Sequence, residues 1–202
     1  GPTWIFGLTV LPDAAGRERM LTGYMKVKAP LSVYRRGIAI WNDETSVFDR
    51  VTDFEPDVPL YPDGQPLLHR SELRGKCAYF AAPFPLVRVD AKAESFQDLK
   101  QYEAFTCLKE GSTLDKPEIA RDDEGRVDYQ WRKGTPAVGP GEQARLIKKG
   151  LLKPHEGLLQ LRDIATGKPV SVHAGSVHWN EYRKRFVMIA TEHYGSSLLG
   201  EV

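Results

Sequence analysis

An all-β fold, a β-propeller built of four-stranded antiparallel blades, is what this sequence predicts, and three observations carry the prediction. Short apolar stretches alternate with turn-rich breaks along most of the chain. Three segments share one layout: an opening strand, a basic turn, an apolar strand, a gap, then a strand carrying Leu. They recur at roughly 50-residue spacing, in the range of repeat arrays. A lone sheet of this kind would leave two apolar faces bare, and stacking sheets around an axis covers both. A sandwich with coincidental spacing is the competing architecture.

The first unit is the clearest. Residues 4–11 form a continuous apolar run, the pattern of a strand covered on both faces. Residues 12–16, Pro-Asp-Ala-Ala-Gly, are turn chemistry. Strands follow at 19–27, at 31–41 with Gly37 as a bulge position, and at 48–54 after the turn at Asn42, Asp43 and Glu44. The second unit has strands at 67–70, 77–81, 86–89 and 102–108. The last has strands at 176–180, 185–190 and 198–202. The basic turns are 16–19, 74–76 and 183–185.

The middle stretch departs from this layout. Residues 114–125 are polar and read as a surface loop, and 127–131 alternate like another opening strand. Residues 141–149 fit a short helical insertion capped by Gly150, and 158–172 fit a hairpin about 165–169. The blade-like units are therefore 4–57, 63–112, 113–172 and 173–202. The whole of 1–202 is expected to be a partial propeller, about three blades plus the start of a fourth, with the remaining blades C-terminal to Val202.

Composition narrows the function. The chain has 202 residues, 41% of them hydrophobic, and a formal net charge of +1. That balance speaks against a dedicated nucleic-acid binder or a membrane-surface protein. No apolar run approaches the roughly 20 residues that span a bilayer. Cys77 and Cys107 are the only cysteines. They fit either one disulfide or two buried thiols, the second being the commoner fate of free cysteine. There is no HExxH, GxGxxG, P-loop or GxSxG motif, so no metal and no cofactor are expected.

In a propeller the opening strands line a central channel, where polar side chains of different blades converge. The candidates are His69 and Arg70, Tyr129 and Trp131, and His178 and Asn180. Aromatic faces stack on sugar C–H surfaces, while imidazole, guanidinium and amide groups bond hydroxyls or a carboxylate. A carbohydrate is therefore the expected ligand, bound at the axial pocket. Hydrolysis of a glycosidic bond needs two carboxyl groups. Glu192 and Glu201 are the catalytic candidates, because they adjoin strand positions facing neighbouring groups.

Two segments are similar to a known class. GSVHWNEYRKRFVMI (175–189) resembles the blade-opening hairpins of five-bladed propeller glycosidases of the arabinanase, xylosidase and invertase types, and LLGEV (198–202) fits the next strand. YRRGIAIWND (34–43) is similar to their third-strand-to-turn segments. The resemblance implies a bacterial, glycoside-hydrolase-like protein acting on a poly- or oligosaccharide. It also implies a secreted or periplasmic location, although no signal peptide is visible. Where those enzymes carry Asp or Glu on opening strands, this chain has His69 and Arg70, Tyr129 and Trp131, and His178 and Asn180. Two alternatives follow. One is a non-catalytic carbohydrate-binding or scaffold propeller. The other is a polysaccharide lyase, with His69 or His178 as base, Tyr129 as acid and Arg70 neutralising the uronate.

Overall fold

The computed structural model describes residues 2–56, 58–71, 75–81 and 83–192. Strand 198–202 and Glu201 lie outside the described residues. The chain begins as a meander of β1 (Thr3–Pro12), β2 (Glu18–Lys28), β3 (Ser32–Asn42) and β4 (Val47–Phe54), paired antiparallel in that order. Local chemistry sets the tight connections. Asp13 Oδ1 accepts from the amides of Ala15 and Arg17, both at 2.9 Å, and Gly16 takes the left-handed φ of 78°. The same device returns at Asp122, whose Oδ1 accepts from Glu124 and Arg126 before Gly125 at φ 79° closes the turn. At Gly37 a Cβ would lie 1.9 Å from the Thr52 carbonyl, so glycine lets β4 approach. The register shift follows one step on, between Ile38 and Ala39.

A second antiparallel sheet holds β5 (Gln65–Ser71), β6 (Gly75–Ala81), β7 (Val87–Asp90), β8 (Glu103–Thr106) and β9 (Gln130–Lys133), in that order. A helix, α1 (Ala93–Gln97), lies between β7 and β8. Leu11, Leu21 and Ile38 of the first sheet pack against Ala78, Phe80, Val89 and Ala104 of the second, with Phe96 and Tyr102 closing the core. Removing this apolar surface from water is the main force joining the two sheets. The opening strands β1 and β5 are neighbours, and Gln65 Nε2 donates to the Leu8 carbonyl at 3.2 Å.

The fifth strand corrects two expectations. Residues 127–131 were to open a third blade, and the second unit was to end at 112. Instead Gln130–Lys133 pairs with β8, Phe105 opposite Trp131, so the second sheet has five strands and the boundary at 112 does not hold. The physical reason is the Trp131 ring, which packs on Phe105 and Tyr79 of the same sheet. A further difference concerns residues 4–11. Thr9 and Leu11 are buried, but Leu8 and Val10 are 50% and 43% exposed, so among the described residues β1 is covered on one face only.

Between the second sheet and the last strands runs a connector with its own small core. The helix α2 (Pro140–Lys148) packs Leu146 against Cys107, Leu108, Val138 and Leu152. Gln143 donates to and accepts from the backbone of Leu159, at 2.8 and 2.9 Å. The expected hairpin about 165–169 is a turn with one bridge, Arg162 opposite Pro169. Cys77 and Cys107 are buried and are not joined in a disulfide. A hairpin of β10 (Val172–Asn180) and β11 (Arg185–Glu192) follows and lies against β5 and β6. Register fixes the side it covers. Leu68, Ala78 and Val89 face the first sheet, so Leu67, His69 and Tyr79 face the hairpin. The chain thus stacks three antiparallel layers face to face. No helix among the described residues is long and apolar enough to cross a membrane.

Candidate functional site

The second and third layers enclose a cleft of about 460 Å³. Leu67 and His69 reach it from β5, Tyr79 from β6 and Trp131 from β9. Val177 reaches it from β10, Phe186 and Met188 from β11, and Pro85 closes one side. Strand alternation explains the selection: Leu67 and His69 share a face, as do Phe186 and Met188. The His69 imidazole meets the Phe186 ring edge-on at 4.9 Å and lies 6.4 Å from Trp179. Trp179 and Phe186 are themselves cross-strand partners, with centroids 5.1 Å apart.

Trp131 is held from several sides. Its ring lies 5.4 Å from Phe105 and 5.7 Å from Tyr79, and the Arg88 guanidinium carbon sits 4.1 Å above it. Arg88 Nε in turn donates to Glu103 Oε2 at 2.9 Å, with the two side chains only 13% and 14% exposed. A cation so placed over an indole contributes roughly 1–2 kcal/mol. The ion pair fixes the guanidinium and the guanidinium fixes the ring, so the aromatic wall is formed before any ligand arrives.

The structure brings His69 and Trp131 into one cleft. The other candidates lie elsewhere. His178 is adjacent to Val177 and Trp179 on β10 and so points to the opposite face, where Nε2 lies 3.2 Å from Ser176 Oγ. Asn180 caps the hairpin turn, accepting from the Arg183 amide at 2.8 Å. Arg70 is exposed near the end of β5, on the side away from His69. Tyr129 precedes β9, stacked on Phe105. Its hydroxyl donates to the Glu156 carbonyl at 3.1 Å and accepts from the Leu158 amide at 3.2 Å. Burial, and then the neighbouring Cys107, push its ionisation well above the ordinary tyrosine range. That hydroxyl ties down the connector. Glu192 ends β11, four residues beyond Met188 and so about 13 Å along the strand from the cleft. Glu201, the other catalytic candidate, is outside the described residues.

None of the residues lining the cleft is acidic. Asp43 and Glu44 border a separate, more polar hollow of about 560 Å³ at the tips of the first sheet, beside Trp41 and Asp49. Turn chemistry accounts for much of that hollow: Asn42 Oδ1 accepts from the Glu44 amide, and Asn42 Nδ2 donates to Asp49. The cleft members that sequence reasoning passed over are Leu67, Tyr79, Pro85, Val177, Phe186 and Met188, together with the Arg88–Glu103 support. Alternation about His69 and Trp179 names Leu67 and Val177 at i−2, while Tyr79, Phe186 and Met188 follow only from cross-strand register. Comparison with family models, curated proteins and solved structures finds no match.

Proposed function

We propose that this chain is an arc of a β-propeller whose interlayer cleft binds a carbohydrate without hydrolysing it. The supporting observation is the convergence of Trp131, Tyr79, Phe186 and His69 from two layers onto one concave surface. Aromatic rings offer the C–H-facing planes that pyranose rings stack on. Hydrolysis would need two carboxyl groups about 5–10 Å apart across the ligand. The lining supplies none, and the nearby Glu103 is committed to Arg88. The groups expected for elimination do not assemble: the Tyr129 hydroxyl is engaged with the connector, and His178 and Arg70 face away from the cleft. The propeller reading draws on face-to-face antiparallel layers with adjacent opening strands, and on the bare apolar side of β1, where another sheet would stack.

The test is a panel of oligosaccharides, scored by calorimetry for binding and by reducing-end release and unsaturated-product absorbance for turnover. Saturable binding without turnover, weakened at least about tenfold in Trp131→Ala, is the expected result. Turnover of any glycan would overturn the binding-only reading, and absence of binding across the panel would overturn the carbohydrate reading altogether.

A further inference from the structure

We infer that the cleft takes aryl glycosides, with the aryl group seated between the layers and the sugar at the open end. The inference rests on the carbohydrate reading and names the ligand class within it. It follows from the surface that the cleft shows to a ligand, which is almost wholly apolar. The hairpin wall of Val177, Phe186 and Met188 has no hydrogen-bonding side-chain group beyond the weak Met sulfur, and His69, Tyr79 and Trp131 turn ring carbons toward the space. A hydroxyl that entered would leave water without finding a partner, which weakens binding about five- to a hundredfold. A sugar can lay one C–H face against an aromatic ring while its hydroxyls stay in water. It cannot sink into such a cleft whole. A volume of about 460 Å³ suits an enclosed small molecule, so most of it is left for a group without hydroxyls.

The lining also favours one kind of apolar group. Phe186 and Trp131 supply ring surfaces for edge-to-face contact, and the Met188 sulfur suits the rim of an aromatic ring. A flat aryl group has almost no internal freedom to lose on entry, whereas an alkyl chain would have to be ordered. The sugar's place is the hairpin tip. Trp179 and Phe186 pair beside the turn, two residues along from the Val177–Met188 pair, and are 42% and 44% exposed. Trp179 Nε1 donates to Glu181 Oε2 at 2.7 Å, and Lys184 pairs with the same carboxylate. Glu181 and Lys184 are both about 70% exposed, so hydroxyls beside Trp179 meet water and two charged groups instead of the apolar wall.

The experiment uses the full chain and matched pairs, the phenyl and the methyl glycoside of glucose, galactose, mannose and xylose. Each is titrated by calorimetry, with phenol as the sugar-free probe. The phenyl member of at least one pair is expected to bind about tenfold tighter than its methyl partner, and tighter than phenol. Two variants, checked for folding by thermal melts, locate the aryl group: Val177→Phe fills the cleft and Met188→Ala hollows its wall. Either one that folds is expected to cut the phenyl-to-methyl ratio to about threefold or less. A readout that needs neither variant is quenching of tryptophan fluorescence by saturating p-nitrophenyl glycoside, expected to fall in Trp131→Phe. No pair differing by more than about threefold in the unaltered chain overturns this inference and leaves the carbohydrate reading standing. A ratio untouched in the folded variants, or quenching untouched by loss of Trp131, does the same. Phenyl glycosides that bind no tighter than phenol, or no binding by any glycoside, overturn both.

Discussion

Residues 37–48 and 175–186 carry one twelve-residue pattern: Gly, three residues, Trp-Asn, an acid, four residues, Phe. They form β3–β4 and β10–β11, and the likeness extends into the details. Trp41 pairs with Phe48 and Trp179 with Phe186, ring centroids 5.2 and 5.1 Å apart at 69° and 67°. Asn42 and Asn180 each accept turn amides, and Ser46 and Lys184 each take a left-handed φ, 53° and 48°. Their settings differ. The first hairpin completes a four-stranded sheet, while the second lies across β5 and β6 with Phe186 against His69. Local sequence builds the hairpin, and the layer facing it decides whether it becomes a sheet edge or the wall of a cleft.

Breaking the shared glycine should give the largest effect. A Cβ at Gly37 would meet the Thr52 carbonyl at 1.9 Å, and one at Gly175 the Ile189 carbonyl at 2.4 Å, both backbone atoms that cannot swing away. Gly37→Val is expected to cost about 3 kcal/mol or more in urea denaturation, and Gly175→Val somewhat less. Equal and negligible losses would mean that the hairpins do not need their close approach.

The paired tryptophans sharpen the contrast. Trp179 is 42% exposed yet lies beside His69, so Trp179→Ala is expected to cost only about 1–2 kcal/mol while weakening glycan binding. Trp41→Ala, a similar loss of ring contact with Phe48, should leave binding unchanged. A matching loss of affinity in both variants would show that the two hairpins do not differ in function.

Acid should separate them as well. Arg121 pairs with Glu156 at 2.8 Å and, with the Lys153 amide, holds its carboxyl near pKa 2, against an ordinary 4.5. The folded value lies below the unfolded one, so the stabilisation is complete above about pH 4.5 and disappears as pH falls toward 2. This pair secures the connector that leads to β10–β11. Glu156→Gln is expected to flatten that acid limb of the stability curve, while the contribution of Asp13, held low by Arg17 in the first sheet, persists. An unchanged acid limb would remove Glu156 from the account.

The first four strands were legible because alternation and turn residues coincide there: each boundary falls within a residue or two of a Gly, Pro, Asn or Asp signal. The fifth strand of the second sheet was not, since alternation over 127–131 says nothing about which neighbour the strand will join. The same limit governed the site. His69 and Trp131 were found because they are chemically conspicuous and happen to face the cleft. His178 is equally conspicuous, but alternation turns it away and presents Val177 instead. Choosing polar residues along a strand discards the parity that assigns faces. The Arg88–Glu103 support needed a cross-strand register that no local pattern contains.

The smallest expected effect has the opposite sign. Ser46 and Lys184 occupy the left-handed region, which costs an L-residue with a Cβ roughly 1–2 kcal/mol. Glycine removes that strain but adds freedom to the unfolded chain, so Ser46→Gly should stabilise by about 0.5–1 kcal/mol. Lys184→Gly should gain less, because it also removes the ion pair with Glu181. Both partners there are about 70% exposed, and such a pair contributes only a few tenths of a kcal/mol. Thermal melts of the two variants therefore measure one difference between otherwise matching turns. A Lys184→Gly gain equal to that of Ser46→Gly would mean that the ion pair contributes nothing and that the two turns are energetically the same. A net loss in both would mean that their side chains hold the turns in a way the backbone angles do not reveal.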